Sequence, residues 1–194
     1  MISLILKNNL IMKKFILIFT LFILTTVSLK AQEYYWTSYS FNVDSEDTEI
    51  VAKLTNDYFS AENAKADGVS VYLFENHFHD SELSSSHEIV FAGTYDAMGN
   101  QYSQGENPSW DLYLAKLGQY TKSFSAAAGK SVHSFGVPGT HPIQNLFWLK
   151  VNDASTFAKG FKKYNSKHNP DDRRVTLGQF NLGRSPLGET HYVL

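Results

Sequence analysis

The sequence predicts an α+β fold of two tandem βαββαβ units, the second cut short at its C-terminus. Three observations lead there. Residues 71–90 and 175–194 align without gaps at a shift of 104, and Val71, Leu73, Ser81, Leu83 and His87 meet Val175, Leu177, Ser185, Leu187 and His191. Those are 5 identities in 20 pairs, where composition alone gives about one. The same order of strand, helix and hairpin surrounds each copy. Finally, 194 residues with 43% hydrophobic content, 14 Phe and 11 Tyr suffice for a packed core.

Tyr34–Val43, YYWTSYSFNV, is rich in β-forming residues and predicts the first strand. Asp44 and Ser45 are helix-capping residues, and Glu46, Asp47 and Glu49 suit a helix N-terminus. These acids lack the glycine-bearing loop of alternating ligands that calcium needs, so capping is their role. Ile50, Val51, Leu54 and Tyr58 recur at helical spacing, predicting a helix to about residue 63. A strand over 69–78, apolar on both faces, is expected to be covered on both sides. A loop over 80–86 and a strand over 87–95 complete the hairpin. Residues 96–109, with Gly99, Gly105 and Pro108, read as a long loop. Ser109 then caps a helix with Trp110, Leu114, Leu117, Thr121 and Phe124 inward, ending near Ala128 at Gly129. A short strand over 131–136 closes this first unit, 32–137.

Residues 138–144 form a linker with Pro138, Gly139 and Pro142, and the pattern restarts over 145–194. Residues 146–151, LFWLKV, predict a strand; Asn152 or Asp153 caps a helix bearing Phe157, Phe161 and Tyr164 on one face. Residues 169–172, NPDD, are a turn, and strands follow over 175–182 and 189–194. By the 104-residue period the second unit lacks its last helix and strand, about 45 residues. The sequence therefore reads as a C-terminally truncated frame, with sheet surface left open to aggregation or to a homodimer through that second unit.

The βαββαβ order is that of ferredoxin-like folds, and its tandem repetition resembles the dimeric α/β-barrel superfamily. That group includes antibiotic-biosynthesis-type monooxygenases, muconolactone-isomerase-like proteins and stress-responsive barrel proteins. The resemblance spans residues 34–194 and implies a pseudo-dimeric α/β barrel. It is topological: no catalytic motif of the family is matched, so no family residue is carried over.

Residues 1–31 read as a secretory signal with its start at Met12. Lys13 and Lys14 precede an apolar run of 13 residues, 15–27, too short for a membrane span of about 20. Ala31 offers the cleavage residue, and an uncleaved anchor is the alternative. The Ala31-Gln32 leader is similar to those of exported proteins of marine flavobacteria. Removing 1–31 takes away four lysines and no acid, leaving 13 basic against 19 acidic residues, net −6. An acidic exported domain is not expected to bind nucleic acid or to stay inserted in a membrane. The chain has no cysteine, which excludes disulfides, thiolate metal sites and a thiol nucleophile.

Reactive side chains crowd the first hairpin: Glu75, Asn76, His77, His79, Asp80 and His87. On a strand His77 and His79 share a face, and with Asp80 they are the candidate ligands for zinc or iron. The plainer reading is a polar strand end entering a solvated loop, and the second copy has Asn181 and Gly183 there. His87 recurs as His191. One reading is an imidazole hydrogen-bonding the hairpin in each repeat. The other is a symmetric pair facing the interior as acid/base or haem-contacting groups, with Asn76 the third catalytic candidate. Ser81 and Ser185 lack a nucleophile elbow, and no glycine-rich stretch matches a phosphate loop. Trp36, Tyr72 and Phe74 are the candidates for contacting a ligand between the sheets, although Trp36, Trp110 and Trp148 also read simply as core. Arg173, Arg174 and Arg184 read as surface charge.

The functional expectation is an exported barrel that binds a small apolar or aromatic ligand and carries no cofactor. The alternatives are a monooxygenase-like enzyme, cofactor-independent or haem-dependent, using His77, His87 and Asn76, or a divalent-metal module on His77 and His79.

Overall fold

Tyr34–Val43 forms the strand β1, paired on both edges by the strands His87–Thr94 and Thr121–Phe135, and its alternating positions put Trp36 and Ser38 on one face and Phe41 and Val43 on the other, all buried. The computed structural model describes residues 33–62, 64–78, 85–139, 141–169, 173–183 and 188–194. After β1 come a 3₁₀ turn at Ser45–Asp47, α1 (Thr48–Phe59), β2 (Ser70–Glu75), β3 (His87–Thr94), α2 (Tyr95–Tyr102), α3 (Pro108–Leu117) and β4 (Thr121–Phe135). The second half supplies β5 (Phe147–Leu149), α4 (Ala154–His168), β6 (Val175–Leu182) and β7 (His191–Val193). All seven strands join one antiparallel sheet in the order β2-β3-β1-β4-β6-β7-β5. In each half the third strand lies between the first and the second, and β4 pairing with β6 is the seam between the halves. The fold is α+β, βαββααβ followed by βαββ.

One face of the first half carries helices. Phe41, Val43, Ile89 and Phe91 pack there against Val51 of α1, Met98 of α2 and Tyr113 and Leu117 of α3. An aromatic layer closes α1 on α3: Tyr58 stacks on Tyr113 at 4.6 Å, and Phe59 meets Phe91 edge-on at 5.6 Å. Thr55 and Tyr113 share a buried hydroxyl contact of 3.2 Å. By contrast α4 fully buries no side chain, and its ring contact with the sheet is Phe161 against Phe135 of β4, at 6.2 Å.

Several elements differ from the sequence expectation. The expected loop at 96–109 contains α2, whose N-terminus is capped by Thr94 Oγ1 accepting from Ala97 N at 3.2 Å. α3 is capped by Asn107 rather than Ser109, with Pro108 in its first turn, and it buries Tyr113 while Leu114 is exposed. That helix ends at Leu117, and β4 begins at Thr121. The alanine run 126–128 favours a helix locally, but β1 supplies a strand partner in register, Thr37 with Ala128 and Tyr39 with Ala126. Gly129 is accordingly mid-strand and no helix cap. α1 stops at Phe59, and β2 is an edge strand with half-buried faces. The leader over 1–31 lies outside the described residues; among them no helix is long and apolar enough to cross a membrane.

Candidate functional site

Strand alternation gives the sheet a second face, turned away from the helices of the first half. Register places Trp36, Ser38 and Ser40 of β1 beside Ala92, Val90 and Glu88 of β3. Tyr72 and Phe74 of β2 lie opposite Val90 and Glu88. Across the seam, Gly129 and Ser131 of β4 meet Phe180 and Gly178 of β6, and Gly178 meets Tyr192 of β7, whose other neighbour is Trp148 of β5. This is the interior face of the sheet, opposite the helices of the first half.

Its rings form one cluster. Trp36 touches Phe180 and Tyr192 edge-on, each at 5.3 Å, and Trp148 stacks on Phe180 at 4.9 Å. β4 and β6 separate β1 from β7, a spacing of about 14 Å in a flat sheet. Two glycines let the rings lie down and close that gap. A Cβ on Gly129 would stand 2.5 Å from Trp36 Cζ2, and one on Gly178 would overlap the Tyr192 ring. The sheet also curls, since rings on β1 and β7 meet at 5.3 Å with two strands between them.

Polar groups are set among these rings. Glu88 keeps solvent-reachable surface although protein surrounds its carboxyl; desolvation raises its pKa, opposed by hydrogen bonding from Ser38 and Ser40. Desolvation likewise holds the proton on Tyr192, which Ser131 approaches, and the charge of Glu88 adds to the effect. Trp36 is only 6% exposed. Its Nε1 lies near the Tyr192 hydroxyl without the alignment of a hydrogen bond, leaving the N–H buried and unpartnered. Such an orphan donor costs about 1–3 kcal/mol.

The expected site residues fall in different places. Trp36, Tyr72 and Phe74 are on the interior face, with Tyr72 and Phe74 stacked at 6.0 Å. His87 and His191 are on the opposite face, 3% and 4% exposed. In the first half Val43 N donates to Ser86 Oγ at 2.8 Å, and Ser86 Oγ contacts His87 Nδ1 at 2.9 Å. In the second, Val151 N donates to Thr190 Oγ1 at 3.1 Å, and Thr190 Oγ1 contacts His191 Nδ1 at 2.9 Å. Desolvation lowers the pKa of both imidazoles, with Glu75 opposing it at His87. Asn76 Nδ2 donates to the Ser85 carbonyl at 2.9 Å, spanning the mouth of the hairpin. His77 is exposed, and His79 and Asp80 lie outside the described residues. Among the described residues no three His, Asp or Glu side chains gather as a metal site. A groove of about 330 Å³ beside the N-terminus of α4 presents one carboxylate, Asp153, already accepting from Thr156 N at 3.0 Å.

Sequence reasoning missed Glu88, Tyr192, Phe180 and the two glycines. A signal was present: Glu88 and Tyr192 are one position of the 104-residue repeat. Repeat-equivalent residues from the two halves thus share the interior face.

No protein-family model and no curated protein matches the chain. Solved structures do. A provisionally named monooxygenase from Fusobacterium nucleatum subsp. nucleatum is similar with a TM-score of 0.56 and 17% identity, over 84% of this chain and 75% of that one. Another from Lactobacillus acidophilus gives 0.50 and 10%, over 82% and 74%. Likeness at this identity carries the fold alone. The chain has the dimeric α/β-barrel fold, its two half-repeats contributed in tandem by one polypeptide to a single sheet.

Proposed function

We propose that the protein binds a small aromatic ligand inside its barrel. The observation that carries this reading is the ring lining of the interior: Trp36, Trp148, Phe180 and Tyr192 in mutual contact, with Tyr72 and Phe74 on the same face. Flat apolar ligands gain dispersion and area burial from such a surface, and partly exposed rings there leave unburied area to cover. Isothermal titration calorimetry of the full chain with two-ring aromatic compounds tests it. Saturable heat, weakened in Trp148→Ala, is expected; absence of saturation across the series would sink the reading.

A second reading takes the naming of the two fold neighbours as monooxygenases as a lead to oxidative chemistry. His77, His87 and Asn76 were its sequence candidates, with His191 the repeat partner of His87; with His87 and His191 both turned off the interior, Glu88 and Tyr192 are better placed to handle a proton there. Oxygen uptake with a quinol, compared between the parent and Glu88→Gln, decides it. We also propose that the protein is exported, on the strength of Lys13, Lys14 and the apolar run that follows; recovery in the cytoplasmic fraction with 1–31 intact would contradict this.

A further inference from the structure

Charge is unevenly divided between the two halves. Residues 32–137 carry 5 basic and 15 acidic side chains, net −10, whereas 138–194 carry 8 basic and 4 acidic ones, net +4. The imbalance is sharpest on two helices. α4 holds Lys159, Lys162, Lys163 and Lys167 and no acid, net +4. The stretch 44–59, which contains α1, holds five acids and one lysine, net −4. Both helices lie on the same face of the sheet, one over each half.

Ala158, Phe161 and Asn165 are the half-buried positions of α4, and its four lysines are all exposed. Lys159, Lys163 and Lys167 follow at four-residue spacing, so like charges stand in one row, which weakens a helix. Elsewhere lysines are matched: Lys53 pairs with Asp57 four residues on, and Lys122 with Asp44. Among the described residues no ion pair reaches the α4 lysines. An unbalanced row on an exposed helix face suits an opposite charge that comes from outside.

An anionic lipid surface fits poorly, because Phe161 is already seated on Phe135 and the acidic half would be repelled. The matching surface is on the chain itself. Glu46, Asp47 and Glu49 gather at the start of α1 beside Ile50, which is exposed. α4 likewise carries exposed rings, Phe157 and Tyr164, beside its lysines. Each patch combines apolar area with charge, and the signs are opposite. Between two copies, α4 on α4 sets like charge on like. α4 on α1 sets +4 on −4, and a two-fold axis makes that contact twice.

We propose that the protein forms a two-fold dimer in which the lysine row of α4 in each copy docks on the acidic start of α1 in the other. The contact does not depend on what the barrel binds. Sedimentation velocity of the full chain tests it with two charge-reversed variants. Lys159→Glu, Lys162→Glu and Lys163→Glu together turn α4 from +4 to −2, each reversal counting two. Glu46→Lys, Asp47→Lys and Glu49→Lys together turn 44–59 from −4 to +2. Asp47 makes no capping hydrogen bond, so the helix start keeps its backbone geometry. The parent should sediment as a dimer that weakens about tenfold between about 0.05 M and about 0.5 M salt. Either variant alone sets like charges together and should sediment as a monomer. Their equimolar mixture should return to a dimer with one copy of each, because both contacts then join opposite signs. Where a triple variant loses the parent's circular dichroism, Lys163→Glu and Glu49→Lys replace it, with smaller shifts in the same directions. A monomeric parent overturns the proposal, as does a dimer untouched by the α1 variant or a mixture of folded variants that stays monomeric. Binding of a monomeric parent to phosphatidylglycerol vesicles, lost in the α4 variant, also overturns it and assigns the lysines to a lipid surface.

Discussion

In the first half, Tyr58, Phe59, Trp110 and Tyr113 seal α1 against α3, whereas α4 of the second half has no helix beside it among the described residues. Tyr164 of α4 is 64% exposed and Phe147 of β5 60% exposed, on a sheet edge with no partner strand among those residues. Yet the hydroxyl–histidine contact that ties the third strand to the end of the first is built alike in both halves. The hairpin scaffold thus repeats without the same helix cover. What the repeat does not keep is the interior: Glu88 against Tyr192, and Phe74 against Gly178.

The sharpest way to break this comparison is matched truncation in the two helix layers. Tyr113→Ala should cost about 4 kcal/mol, since it empties a fully buried site among three rings. Phe161→Ala should cost about 1 kcal/mol, because that ring is only partly covered. Denaturant titration measures both, and equal losses would refute the difference between the halves. At the seam, Gly129→Val should cost about 3 kcal/mol, because its side chain would have to displace the Trp36 indole and the β6 backbone; near-wild-type stability would show that Trp36 can stand elsewhere.

The uncovered second half leads to a prediction about assembly. Light scattering at micromolar concentration should give the mass of a homodimer, converted to monomer by Phe157→Glu with Tyr164→Glu on α4. A soluble parent monomer that unfolds cooperatively would refute it.

The smallest effect concerns pH. Burial lowers the pKa of His87 and His191, so the unfolded chain binds protons more readily than the folded one. Their contribution to stability is present above the ordinary histidine value of 6.5 and is lost as pH falls through the lowered values. His87→Gln with His191→Gln should flatten that slope in thermal melts; an unchanged slope assigns it elsewhere. Glu88 runs the other way, stabilising at low pH and losing that contribution as pH rises through its raised pKa.

Much of the fold was legible because periodicity and repetition are local or linear signals. Val71/Leu73 against Val175/Leu177 marked matching strands, and Ile50, Val51, Leu54 and Tyr58 marked α1. The alanine run in β4 misled because intrinsic propensity says helix while β1 supplies the hydrogen-bond partners of a strand. The histidines drew attention by type, but their side of the sheet depends on a register that one residue reverses.

The sequence by itself determined the succession of strands, the duplicated hairpin and the supply of aromatic residues, since each follows from spacing along the chain. Only the tertiary structure decided that Trp36 lies over Gly129, that Tyr192 lies over Gly178, and that Glu88 and Tyr192 look into one interior. Those relations join strands far apart in sequence, and the curl of the sheet that brings them together is a property of the assembled strands.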